Sequence, residues 1–252
     1  METTGGRKGT GHARKTIANK YGFLSGVLNA AVPKHIPANP AAGRSLRKVG
    51  RVVVDDDGGL EDDDIRMLSR EECIALYSAT TEYWQPLVEF LVATGLRWGE
   101  AAGLQPRHVD TAEGTVKIRQ AWKYTRSKGY YMGIPKTKRS RREVDVPKRV
   151  FDTLDLSGEW LFRNRDGGPV RYAGFRRRVW DKAVDRAALD PLPSPHALRH
   201  TYASWQLTGG TPITVVSRQL GHESIQVTVD IYGDVDRTSS RAAADFMDGM
   251  LQ

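Results

Sequence analysis

The 252-residue chain holds one cysteine, Cys73. That excludes an internal disulfide and any cysteine-rich zinc module, and the expected role of Cys73 is a small buried hydrophobe. Long apolar runs are also missing. The best, Pro86 to Leu96, is eleven residues long and contains Glu89, against the ~20 needed to span a membrane. The start of the chain is rich in Gly, Lys and Thr and has no apolar core of the kind a secretory signal needs. The expectation is a cytoplasmic protein with no membrane association.

Several site chemistries are missing too. His196 and His200 are four apart, but Ala197 stands where a zinc-binding HExxH helix needs its glutamate, and Arg199 between them would repel a cation. Gly9-Thr10-Gly11-His12 does not have the spacing of a phosphate loop, and no strand pattern precedes it. No cluster of carboxylates suited to paired magnesium ions is visible. The expectation is therefore a site without metal or cofactor.

What is present is ordinary globular material, 39% hydrophobic and 27% charged, with a formal net charge of +8. The charge is unevenly distributed. Residues 55–64 carry seven acids and no base, whereas residues 1–54 hold ten Lys or Arg against Glu2 alone. A second basic cluster runs from Lys136 through Lys138, Arg139, Arg141 and Arg142, and Arg176-Arg177-Arg178 follow. Such stripes suit a polyanion, because phosphate neutralisation supplies most non-specific affinity for DNA.

Apolar positions Ile17, Tyr21, Leu24, Leu28 and Ala31 recur at helical spacing and predict a helix over 15–32, stopped by Pro33, Pro37 and Pro40. Residues 41–64 have the glycine-rich, acidic composition of a linker. Beyond it, Ser69 to Glu72 reads as a capping box opening a helix to about Thr80. Further helices are expected over about 83–94, 97–104, 173–188, 195–207, 212–220, 224–232 and 236–251. Alternation predicts strands at 115–121 and 142–147. The fold class is mostly α with a small antiparallel sheet (α+β). Three segments follow: a basic arm and one helix of an incomplete domain (1–50), an acidic linker (51–67), and the main domain (68–252).

Within the main domain a spread of polar residues stands out. Arg97 follows a helix-terminating glycine, with Glu100 three residues on to hold it. His196 and Arg199 share one helix face, Leu220-Gly221-His222 ends another helix, and Tyr232 comes ten residues later. Each has a bland structural explanation. As a set they suit attack on a phosphodiester: fixed positive charge for the non-bridging oxygens, an oxygen nucleophile able to form a reversible ester, a lysine to protonate the leaving group and a histidine to take a proton.

Thr94 to Glu100, the hairpin Pro135-Lys136-Thr137-Lys138 with Ser140-Arg141-Arg142, His196 to Thr201, Leu220 to His222, and Tyr232 together resemble the tyrosine recombinase (phage integrase) family. The resemblance covers about Leu68 to Val235 and implies a fold shared with type IB topoisomerases. It implies that Arg97 and Arg199 hold the scissile phosphate and that His222 hydrogen-bonds it. Lys136, or Lys138 from the same hairpin, would protonate the departing 5′-oxygen, and His196 would act as acid and base toward the tyrosine. Tyr232 would attack to give a 3′-phosphotyrosine link, Glu100 and His200 would support these groups from behind, and Lys138, Arg139, Arg141 and Arg142 would contact DNA. Tyr202 is the rival nucleophile, but its place inside the helix of Arg199 suits packing.

The implied activity is site-specific recombination without metal or ATP. The implied partner is duplex DNA bearing attachment sites, engaged by a homotetramer linked through the C-terminal helix, with a directionality factor as a further partner. Two departures stand out. Only about fifty residues precede the catalytic part, so the core-binding domain is read as truncated, and the alternative is a catalytically silent DNA-binding remnant. Asp234 also stands where many relatives carry a histidine.

Overall fold

The computed structural model describes residues 14–42, 65–125, 127–134, 138–233 and Met250. The chain divides into two compact units, one up to Val52 and one from Val53. In the first, α1 (Arg14–Ala31) matches the helix expected over 15–32. The proline-rich segment after it folds back: the Asn39 amide donates to the Ser25 carbonyl at 3.2 Å and to Asn29 Oδ1 at 2.7 Å, and Tyr21 donates its hydroxyl to the Ala41 carbonyl. Phe23, Leu24 and Val27 remain exposed on α1.

The second unit is built on helices. Ser69 and Glu72 form the reciprocal capping box that opens α2 (Arg70–Ala79), satisfying two amides that the first turn would leave unpaired. Then come α3 (Gln85–Thr94), with Pro86 in its first turn, and the short α4 (Trp98–Ala102). Strands β1 (Val109–Asp110), β2 (Thr115–Ile118), β3 (Ala121–Thr125), β4 (Gly129–Gly133) and β5 (Arg142–Asp145) follow. After two single turns, α5 (Lys148–Phe151) and α6 (Tyr172–Phe175), a π-type turn at Arg176–Trp180 leads into α7 (Asp181–Arg186). The unit continues through α8 (Ala197–Thr208), α9 (Ile213–Leu220) and α10 (Ile225–Tyr232). The architecture is mostly helical with small antiparallel sheets, as the sequence pattern predicts.

The sheets differ from expectation in one respect. Strand β2 pairs antiparallel with β1 and β5, with Val116 opposite Val144 and Ile118 opposite Arg142. The run expected as one strand over 115–121 instead breaks after Ile118. Gln120 donates to the Gly103 carbonyl at 3.0 Å, and β3 then starts a separate hairpin with β4. Arg171 stacks on this hairpin, 4.3 Å from the Trp122 ring and 4.6 Å from that of Tyr130. The helix expected over 173–188 is interrupted by the π-type turn.

Two cores hold the unit together. The larger joins Leu76, Phe90, Val116, Ile118, Trp180 and Leu198, all essentially inaccessible, and Cys73 packs half-buried against it. A smaller one, of Tyr202, Ala203, Leu207, Val216, Leu220 and Tyr232, fastens α9 and α10 to α8. Burying each large apolar side chain contributes roughly 1.5–3 kcal/mol. Thr201 ties the entry of the unit to α8, its hydroxyl accepting from the Leu68 amide at 2.8 Å. Among the described residues no helix is long and apolar enough to cross a membrane. The helix expected over 236–251 lies outside the described residues, apart from Met250.

Candidate active site

Gly95 ends α3 in the left-handed region, with φ +62°, and a Cβ there would lie 2.4 Å from Tyr202 Cδ1. Both conformation and close approach therefore require glycine. The turn delivers Arg97 to the start of α4. There its amide donates to Glu100 Oε2 at 3.0 Å and its Nη1 to Glu100 Oε1 at 3.2 Å.

Glu100 is also gripped from the other side. Arg142, at the start of β5, donates Nη1 to Oε1 at 3.0 Å and Nη2 to Oε2 at 2.9 Å, a bidentate pair with both side chains 5% exposed. Burial alone would raise the Glu100 carboxyl. The guanidiniums of Arg142 and Arg97 outweigh it and hold the group well below the usual carboxylate range. Arg142 further donates Nε to the Gln219 carbonyl and Nη1 to that of Ser140. The DNA-contacting role expected for Arg142 is thus corrected: its fork is spent inside the protein, binding β5 to α4 and to the end of α9.

Arg199, on α8, is 3% exposed. It donates Nη1 to the Gly95 carbonyl at 2.7 Å and Nη2 to the Leu220 carbonyl at 2.8 Å. One guanidinium thereby joins the C-terminal ends of α3 and α9, where the helix dipole favours a cation. Gly221, with φ +66°, ends α9 and turns the chain so that His222 is buried beside these arginines. His222 Nδ1 lies 2.7 Å from Thr228 Oγ1 on α10. Burial pushes the imidazole down to about 2, and Arg199, Arg97, Arg142 and His200 add to the shift, so the ring is neutral at ordinary pH.

Tyr232 is the last residue of α10 and only 1% exposed. Its hydroxyl lies 2.7 Å from Nδ1 of His200, one residue beyond Arg199. His196, one turn earlier, sets its ring edge-on to that of His200 with centroids 4.8 Å apart. The resemblance implies that His196 serves the tyrosine as acid and base with His200 as a support, whereas the group found on the phenol oxygen is His200. Tyr202 faces elsewhere, donating to Gln219 Oε1 at 2.7 Å, and burial pushes its phenol up to about 12.

The structure therefore brings Arg97, Glu100, Arg199, His196, His200, His222 and Tyr232 into one neighbourhood and adds Arg142, Thr228 and Gln219. Lys136 lies outside the described residues, and Lys138 opens a 3-10 turn, Lys138–Ser140. Arg141 is exposed, and exposed Arg139 donates to the Glu223 carbonyl at 2.7 Å, beside His222. Burial pushes the Cys73 thiol up to about 12, which disfavours the thiolate. Among the described residues no group of three His, Cys, Asp or Glu side chains could hold a metal ion.

Comparison with known proteins identifies the family and the fold. The model of the phage integrase family matches residues 65–238. Tyrosine recombinase XerC of Halalkalibacterium halodurans is 34% identical over 161 residues, which is 62% of this chain and 51% of that protein. Prophage integrase IntR of Escherichia coli is 30% identical over 254 residues, 88% of this chain and 58% of that one. The chain thus spans about half the length of these curated relatives. The fold is that of the Tn1549 transposon integrase solved with circular intermediate DNA (TM-score 0.77, 20% identity, 95% of this chain and 81% of that one). It is also that of the catalytic domain of bacteriophage HP1 integrase (TM-score 0.53, 24% identity, 73% and 95%). The chain belongs to the phage integrase family, the tyrosine recombinases, and carries that family's catalytic domain.

Proposed function

We propose that the chain is a site-specific DNA recombinase that cleaves and rejoins strands through a 3′-phosphotyrosine intermediate. The observation that carries the reading is the arrival of the Tyr232 hydroxyl on α8, at the residue next to Arg199 and close to His222. Tyr232 is the nucleophile. Arg97 and Arg199 hold the non-bridging oxygens, and His222, kept neutral, donates a hydrogen bond to them. Lys136 or Lys138 protonates the departing 5′-oxygen. The ester conserves the energy of the broken bond, so a second 5′-hydroxyl restores the backbone without ATP or metal.

Residues 68–252 form the catalytic part, 51–67 a linker and 1–50 a core-binding segment in this reading. The partner is duplex DNA, as in the solved complex of the Tn1549 integrase. Four copies join on paired sites through the C-terminal helix, with a directionality factor as accessory, in the cytoplasm where such DNA lies. Exposed Arg139 and Arg141 are the DNA-facing bases of the hairpin.

The test is covalent trapping in EDTA on a mixed duplex pool with 5′-bridging phosphorothiolate linkages, whose thiolate leaves without a proton and religates poorly. An adduct on a denaturing gel, absent from Tyr232→Phe, is the expected result. Bound DNA without adduct would instead identify a silent DNA-binding remnant.

A further inference from the structure

We infer that His200 acts on the nucleophile directly: it holds the Tyr232 hydroxyl and takes its proton during strand cleavage. The inference rests on the phosphotyrosine reading and adds a residue to it. Tyr232 Oη lies 2.7 Å from His200 Nδ1, a distance at which a phenol proton can pass in one step. The rings sit with centroids 5.8 Å apart. Both partners are fixed from behind. Tyr232 is sunk in the small core with Leu220, Val216 and Tyr202, and His200 is half-buried on α8 between Arg199 and Thr201.

Charged and titratable neighbours approach His200 from several elements: His196 and Arg199 from α8, His222 from the end of α9, and Tyr232 from α10. Arg199 adjoins it in the chain, and the same neighbourhood carries the charges of Arg97 and Arg142. With its proton on Nε2, His200 offers Nδ1 as acceptor. As the Tyr232 oxygen bonds to phosphorus, the phenol proton moves to Nδ1 and the P–O5′ bond breaks. The leaving oxygen takes its own proton from the lysine of the basic hairpin. On religation each proton returns by the same route. His196, one turn away, then positions the His200 ring through its edge-on contact.

The experiment uses the full chain and the phosphorothiolate duplex pool, on which the leaving group needs no acid and the nucleophile's proton is isolated. His200→Ala and His200→Asn are made, and 2,3,5-trifluorotyrosine, whose phenol is far more acidic, is placed at position 232 in wild type and in both variants. If His200 takes the proton, His200→Ala cuts the rate of adduct formation by ~100-fold or more, the range of general-base catalysis. His200→Asn, which keeps an acceptor but no base, is impaired as well, and trifluorotyrosine restores at least ~10-fold in both. Thermal melts of each variant accompany the rates.

Adduct formation at the wild-type rate in His200→Ala overturns the inference. So does a loss in folded His200→Ala and His200→Asn that the acidic phenol does not restore, since that marks a structural role. Either result leaves the phosphotyrosine reading standing, because the wild-type adduct is still formed. Absence of adduct from the wild type, on DNA that it binds, overturns that reading and the inference with it.

Discussion

Glu100 and Arg142 face each other across the interior as a bidentate ion pair, with N–O distances of 3.0 and 2.9 Å. Removing one partner of a buried pair leaves the other charge without compensation and costs ~3–5 kcal/mol. Arg142→Ala is therefore expected to destabilise the fold by that amount in urea titration. Arg142→Lys, unable to make the planar fork, should recover only part of it. A midpoint unchanged in Arg142→Ala would contradict this.

The same pair gives an acid limb to stability. The Glu100 carboxyl is depressed in the folded state, so between the folded and unfolded values the unfolded chain binds the extra proton. The contribution is complete above the ordinary glutamate value of ~4.3 and declines as pH falls below it toward the folded value. Glu100→Gln should lower stability at neutral pH and flatten its fall below about pH 4. Equal slopes for the two proteins would count against the assignment.

His222 gives a second limb at milder pH. Its imidazole, depressed to about 2 by burial first and by neighbouring cations second, stays neutral when folded. In the unfolded chain it takes a proton below ~6.5. Stability due to His222 is thus fully present above that value and lost steadily as pH falls toward the folded value. A pH series of denaturant midpoints from 7.5 to 5 should show a shallower fall for His222→Gln than for wild type.

Gly95→Ala tests the turn that presents Arg97. The added methyl meets Tyr202 at 2.4 Å and the backbone keeps φ at +62°. Left-handed strain of ~1–2 kcal/mol and overpacking of ~1–3 kcal/mol should combine. In a Tyr202→Ala background most of the overpacking should vanish, leaving Leu220 Cδ2 at 3.0 Å, which a double-mutant cycle measures.

Tyr202→Phe separates the two tyrosines near Arg199. Losing the bond to Gln219 should cost about 1 kcal/mol and leave covalent trapping intact, whereas Tyr232→Phe should abolish trapping. Adduct lost in Tyr202→Phe and kept in Tyr232→Phe would exchange their roles.

Much of the helical frame was legible in the sequence because caps and glycines announce it: Ser69 with Glu72, Gly95 and Gly221 all mark helix ends that the structure keeps. Arg97, Arg199, His222 and Tyr232 are grouped in the sequence by the motifs that carry the family resemblance, and the structure sets them in one neighbourhood. What was hidden depends on contacts between distant residues. Arg142 looks like one more base in a basic run, and only the alternation that turns it inward on β5 tells it from exposed Arg141. His200 was subordinated to His196 because sequence places both on α8 but cannot say which imidazole meets α10. The β3–β4 hairpin went unread since Gln120 anchors to Gly103 and Gln105, a choice invisible to local alternation.

Arg199 holds the carbonyl of Gly95, which caps α3, and that of Leu220, which ends α9, on a single rigid plane. A cation fastened at both ends cannot breathe independently of the helices it joins. Opening the site then requires α3 and α9 to part from α8, which dissolves the core as well. Amide protons at Arg199 and Thr201 should accordingly exchange with solvent on the slowest timescale in the domain, that of complete unfolding. That buried charge is as durable as the fold itself.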